Sequence, residues 1–270
     1  MKAFLVVACA VALNPPSNAA AAPNDADLKA AAEKVGEYLK GINGQDRARV
    51  TSIKDDLVPN LFPKHVFIAV LYPQFPVGRP APEPLKVANI VAVPTGDGKV
   101  LPISDIKELE KFFKEAAPRK AKGETDILKA WLRLSSELAQ DGFYRFKEPQ
   151  GLGGSGKASS DGSSEAQVDG AIAVEPVGGN KGEITASIHF KNGVIEKIDH
   201  KVNLSPGPRP RCQATKLLDP DPIVRQMAED SIRVMGSAAK YYLDEQRAKA
   251  TPELEKAIDR IWQRILEEGR

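Results

Sequence analysis

Apolar positions spaced three and four residues apart mark three helices in the first half of the chain. From Asn24 to Lys40, the residues Leu28, Ala31, Ala32, Val35 and Leu39 line one face. Asp25 or Asp27 can cap that helix and Gly41 can end it. Ile106, Leu109, Phe112 and Phe113 predict a second helix, opened by Ser104-Asp105 with Glu108 placed for a capping box and closed by Pro118. Ile127, Leu128, Trp131, Leu134 and Leu138 predict a third, from about Glu124 to Gln140.

Other stretches carry the patterns of strands. Val66 to Tyr72 is a short continuous apolar run, and Lys86 to Val93 is another. Gly96-Asp97-Gly98 then turns the chain, so that Val100 to Ile103 returns as a hairpin partner. Between these strands Pro73, Pro76, Pro80, Pro82 and Pro84 impose an extended loop. Phe143 to Phe146 reads as a short strand. Gln167 to Glu175, Glu183 to Phe190 and Val194 to Leu204 read as a meander. For its last hairpin, alternation places Ile184, Ala186, Ile188 and Phe190 on one face and Val194, Ile198, Val202 and Leu204 on the facing one. A two-residue Asn192-Gly193 turn would mix those faces, so a three-residue loop pairing Phe190 with Val194 is expected. Residues 24–204 are therefore an α+β domain, an antiparallel sheet with packed helices.

Two segments break the pattern. Residues 151–165 are rich in Gly and Ser and are expected to form a flexible loop. They do not make a phosphate loop: Gly156-Lys157 is followed by Ala158, where Ser or Thr is required. Residues 205–212, Ser-Pro-Gly-Pro-Arg-Pro-Arg-Cys, form a stiff Pro-rich linker and the natural domain boundary.

The remainder, 213–270, is helical. Asp221 can cap a helix with Pro222 in its first turn. Val224-Arg225, Ala228, Ile232, Met235-Gly236, Ala239 and Leu243 follow without insertion. Thr251-Pro252 opens another helix, with Leu254, Ala257, Ile258, Ile261, Trp262 and Ile265 at helical spacing. Residues 219–265 resemble a HEAT-like helical repeat unit. The resemblance covers about a fifth of the chain and implies a docking element, with Arg225, Tyr241, Tyr242 and Trp262 as its candidate interaction face. A solenoid needs about three or more such repeats, so one hairpin and a half must pack on the rest of the chain or on a partner.

The chain's start adds a location. Lys2, the apolar run Ala3 to Leu13 and Ala19-Ala20-Ala21 fit a signal peptide over 1–21, cleaved after Ala21 or a neighbouring Ala, which places the protein in a periplasm or outside the cell. Membrane attachment would require lipidation of Cys9. Without the leader Cys212 is the single cysteine, so no internal disulfide can form. Formal charge is +2, and the residues from Gln213 hold ten basic and eleven acidic side chains, a balance that argues against nucleic acid as partner. A basic cluster of Lys111, Lys114, Arg119, Lys120 and Lys122 is offset by neighbouring glutamates.

Candidate chemistry is sparse. His65, His189 and His200 are not spaced as metal ligands, and no Gly-x-Ser-x-Gly elbow is present. No cofactor is expected. The reading is an exported, non-catalytic protein–protein interaction or scaffolding protein. The alternative is an enzyme or small-ligand binder using a pocket in the α+β domain.

Overall fold

A computed structural model describes residues 23–269, apart from 44, 54, 77, 79, 97, 117–122 and 159–163. The expected signal peptide with Cys9 lies outside the described residues, as do Arg119, Lys120 and Lys122 of the basic cluster. The fold class is α+β, built from two four-stranded antiparallel sheets and seven helices among the described residues. None of those helices is long and apolar enough to cross a membrane.

The first sheet contains β1 (Arg49–Ser52), β2 (His65–Leu71), β3 (Ala88–Pro94) and β4 (Leu101–Ile103), in that order. β2 and β3 are apolar on both faces because both faces are covered. On one side lies α1 (Asp25–Gly41), whose Ala31, Val35 and Leu39 pack on Val66, Ile68, Val70, Val91 and Val93. Asn24 caps α1 and accepts from the Ala26 and Asp27 amides, while Asp27 accepts from the Asn24 amide; Asp27 thus completes the capping box instead of acting as the cap. On the other side Phe67, Ile90 and Ala92 meet α2 (Leu57–Leu61), α3 (Ile106–Ala116) and α4 (Glu124–Leu138).

The second sheet contains β5 (Gln150–Ala158), β6 (Ser164–Ala173), β7 (Lys181–Lys191) and β8 (Val194–Ser205), each paired with the next. Two expectations are corrected here. The Gly-rich stretch is not a flexible loop over 151–158: its backbone pairs with β6 from Gln150↔Ala171 to Ala158↔Ser164, with one register shift. An edge strand needs backbone donors and acceptors more than side chains, so glycine content does not prevent it. Residues 159–163 of the expected loop lie outside the described residues. The β7–β8 hairpin closes with the two-residue turn, pairing Lys191 with Val194 and Phe190 with Ile195. Asn192 and Gly193 both have positive φ, 52° and 73°, as a primed hairpin turn requires. The faces are restored by a bulge, because His189 then pairs with Lys197 and Glu196 is the extra residue. Ile195 and Ile198, three apart, are both buried, and Val194 is exposed.

Helix α4 is the centre of the molecule. It packs on the second sheet through β6 and β7 and on the first through β3, so a single apolar core runs from sheet to sheet. Trp131 sits there almost fully buried, edge-on to Phe113 with ring centroids 5.2 Å apart. Its indole N–H donates to Nδ1 of His200 on β8 at 3.3 Å. His189 faces the opposite side of the sheet, beside Asp199 at 3.3 Å.

Burial pushes the His200 imidazole below the ordinary histidine value of 6.5, and burial with the neighbouring Lys64 does the same to His65. Below that value the unfolded chain takes up protons that the folded chain resists. The stabilisation is therefore present above pH 6.5 and lost as pH falls through the depressed folded values. Urea titrations at about pH 7.5 and 5.5 should show the midpoint falling, and His200→Gln should fall less.

The C-terminal residues form α5 (Pro222–Met235), α6 (Ala239–Arg247) and α7 (Pro252–Glu267). Asp221 caps α5 by accepting from the Ile223 amide, and Thr251 caps α7 by accepting from the Leu254 amide. Both helices carry Pro in the first turn. The three helices enclose a second apolar core around Ala228, Ile232, Met235, Leu243, Ile258 and Ile261. Phe143, from the turn after α4, packs against that core, so it is not closed by the module alone.

Candidate functional site

The seam between the helical module and the two sheets holds a network of polar side chains. The Pro-rich segment is no free linker there. Gly207 donates its amide to Asn180 Oδ1 at 3.0 Å, and Arg209 is buried beneath the strap it belongs to. The Arg209 Nε donates to Asp141 Oδ2 at 2.7 Å and its Nη1 to Asn180 Oδ1 at 2.9 Å. Nη2 lies 2.6 Å from the same Asp141 oxygen but off the hydrogen-bond line. The guanidinium also sits over the rings of Phe143 and Tyr144, at 5.0 and 5.2 Å. Asn180 is fully buried and uses its amide group on both Phe143 and Val177 carbonyls. These demands keep Phe143 to Phe146 out of the sheet: the expected strand is reduced to one bridge, Phe146 with Val174.

Gly178 shows how close the approach is. A Cβ there would lie 2.3 Å from Ala238 Cβ and 2.6 Å from the Met235 carbonyl, and its φ is +61°. Gly178→Ala should therefore cost about 2–4 kcal/mol, the sum of overpacking and a left-handed alanine. Chemical denaturation measures it.

Across the seam, Arg49 of β1 pairs with Glu245 of α6 and stacks over the Tyr241 ring at 4.1 Å. Behind this contact lies a cavity of about 340 Å³. Its floor is the inner face of the first sheet: Ile53, Ala69, Leu71 and Ala88. Its opposite wall is the C-terminal half of α4, with Arg133 and Glu137, continued by Gln140 just past the helix end, and Tyr144 and Tyr241 close the rim. Arg133 pairs with Glu137 at 2.8 Å and approaches Asp55 at 3.9 Å. Burial pushes the Glu137 carboxyl above its ordinary range, against the opposing pull of Arg133. Burial and Asp141 likewise hold the Tyr144 phenol up, so it remains a donor.

The four residues expected to share an interaction face do not share one. Tyr242 is corrected outright: it is only 5% exposed and belongs to the module's core. Its phenol oxygen accepts from the buried Ala214 amide at 2.7 Å, and burial pushes the phenol up to about 12. Arg225 donates back to the Asp219 and Pro220 carbonyls and ties the turn before α5. Trp262 is half-buried on α7 with Lys240 over its ring at 5.5 Å. Tyr241 is 45% exposed but committed to Arg49.

Tyr242→Phe leaves the Ala214 amide without its acceptor and should cost about 1–3 kcal/mol. It should also remove an alkaline loss of stability. Because the folded phenol titrates near 12 and the unfolded one near 10.0, this stabilisation is complete below pH 10 and disappears as pH rises through 12. Denaturation midpoints of both proteins across that range test the point.

A different face of the module is open. Ile223, Met227 and Val234 of α5 are 68%, 58% and 56% exposed. Steps of four and seven residues put them on one stripe, opposite the buried Ala228, Ile232 and Met235. The spacing that marks Ala228, Ile232 and Met235 as one buried face does not by itself show this stripe. The signal was present: apolar residues occur on two sides of α5, more than one packed face can hide. Among the described residues no group of three His, Cys, Asp or Glu side chains converges to hold a metal ion. Cys212 is half-buried against the module's core, and Arg209, three residues earlier, is engaged by Asp141.

No protein-family model, curated protein or solved structure matches the chain.

Proposed function

We propose that this is an exported, non-catalytic docking protein, in which a HEAT-like hairpin of α5 and α6 presents the outer α5 stripe to a protein partner. The observation that carries the reading is the alignment of Ile223, Met227 and Val234, each more than half exposed, on one helix face. Isolated exposed apolar residues are ordinary, whereas three on one helix face, here with Asp230 between Met227 and Val234, favour a binding surface. The buried faces of the module's helices are occupied by its own core and by the seam with the sheets, whereas this stripe is exposed. Export rests on Lys2, the Ala3–Leu13 run and Ala19-Ala20-Ala21.

Site-specific photo-crosslinking in the exporting cell tests the reading. A photoreactive residue at Met227 should give a discrete protein adduct, and one at the exposed Glu255 of α7 should not. Met227→Asp should leave stability within about 0.5 kcal/mol and remove the adduct formed from a photoreactive residue at Val234. Identical adducts at 227 and 255, or none at either, would overturn the proposal. Mass spectrometry of the mature N-terminus tests export separately: an intact Met1 contradicts it, and a diacylated Cys9 replaces it with an anchored form.

A further inference from the structure

The cavity behind Arg49 is independent of the α5 stripe, and the charges around it cancel. Arg49 pairs with Glu245, which Lys249 also approaches at 3.7 Å. Arg133 pairs with Glu137 at 2.8 Å and approaches Asp55 at 3.9 Å. Three cations thus meet three carboxylates, and no surplus of either sign selects an ion. The ligand that such a lining does not oppose is a neutral one.

Beyond the ion pairs, the lining offers neutral hydrogen bonding. Thr51, Gln140, Tyr144 and Tyr241 line the space, and their side-chain hydroxyl and amide groups make no hydrogen bond among the described residues. Asn89 and Ser52 do not add to this set. Asn89 spends its amide group on the Val70 and Lys86 carbonyls and its Oδ1 on the Lys86 amide. Ser52 pairs with Ile68, on the α1 side of the sheet, whereas Thr51 pairs with Ala69 and shares the cavity face. Hydroxyls and primary amides each donate and accept. Four such groups stand around an apolar floor of Ile53, Ala69, Leu71 and Ala88. They match a ligand with hydroxyls along its edge and C–H bonds on its face, which is the construction of a sugar ring. Adjacent hydroxyls of such a ring can also donate to the Glu137 carboxylate and accept from the Arg133 guanidinium. The volume, about 340 Å³, lies at the small end of the range of about 300–1,000 Å³ typical of ligand sites and suits one ring, not a chain of them. We infer that the cavity binds a single neutral sugar unit, its ring face over Ala69, Leu71 and Ala88 and its hydroxyls on Thr51, Gln140, Tyr144 and Tyr241.

Occupancy bridges β1 to α6 through Thr51 and Tyr241, so ligand should raise the thermal midpoint of the whole protein. The test is calorimetry and thermal shift on the full mature chain with glucose, galactose and mannose. Each is compared with its uronate and its 2-amino-2-deoxy counterpart, and all with tetrahydropyran-2-methanol, a ring stripped of its hydroxyls. At least one hexose should bind saturably with a Kd of about 1 mM or below, at least about tenfold tighter than its charged counterparts and the stripped ring. Thr51→Val keeps the shape of the side chain and Gln140→Ala lies beyond the helix end, so both should fold. Each should weaken that binding about threefold or more by removing a hydrogen-bonding group. The methyl glycoside of the bound hexose separates the two sources of such a ring: retained binding assigns the site to the end of a glycan, and lost binding to a free sugar. Three results overturn the inference: no saturable hexose binding at that level, a charged counterpart or the stripped ring bound within tenfold of the hexose, or undiminished binding by both folded variants.

Discussion

Arg209→Met should lower the unfolding free energy by about 3 kcal/mol, although Arg209 lies in a segment whose composition is that of a linker. The mechanism is an uncompensated charge. Asp141 keeps its carboxylate after the change but loses the aligned Nε donor at 2.7 Å and the second nitrogen at 2.6 Å. Asn180, fully buried, loses one of the two donors to its Oδ1. The Asp141 side chain is 22% exposed, so water relieves part of the penalty and the value falls at the low end for a broken buried pair. Arg209→Met combined with Asp141→Asn should recover part of the loss, because no charge is then left unpaired. Urea denaturation of the two single variants and the double variant closes the cycle. Additive losses would mean that the pair is not coupled.

Trp131→Ala should cost about 3–5 kcal/mol. The indole fills the junction at which α4, Phe113 and the inner face of the second sheet meet. It also removes the donor to His200 Nδ1. Trp131→Phe separates the two contributions: it keeps most of the volume and drops the N–H, and should cost about 1 kcal/mol for the lost hydrogen bond plus a small packing loss. Equal costs for the two variants would assign the effect to the hydrogen bond and not to packing.

The helices and long strands were readable because their apolar residues repeat locally. α1, α3, α4, α5 and α7 lie where spacing placed them, and so do β2, β3, β6, β7 and β8 within a few residues. The errors share a cause: each concerns a residue whose environment is set by a pairing partner, near or far in sequence, that apolar spacing does not show. The Gly-rich stretch becomes a strand because β6 offers it a hydrogen-bonding edge. Phe143 and Tyr144 leave the sheet to flank Arg209, which is more than sixty residues away in sequence. The hairpin register was misjudged because strict alternation admits no bulge, whereas Ile195 and Ile198 at a spacing of three already indicated one. Tyr242 is the exception, since local pattern sufficed. Ala239 and Leu243 define the buried face of α6, and position 242 lies on it while 241 does not.

Site information was the least legible. Arg49, Arg133 and Glu137 carry no motif, and only the folding of β1 beside α4 and α6 brings them around one cavity. The α5 stripe was visible as residues but not as a surface, because exposure depends on which side of the helix the module's own core claims.

The central claim is that the helical module is docked on its own α+β domain as one cooperative unit, with the outer α5 face left free. The chain has two tryptophans, Trp131 between the sheets and Trp262 in the module. Fluorotryptophan labelling gives each unit its own fluorine NMR signal in the otherwise unaltered protein. Through a urea titration both native signals should disappear together, at one midpoint. Loss of the Trp262 signal while Trp131 remains native would show that the module unfolds alone, and would contradict the docked seam from which both the free face and the cavity were argued.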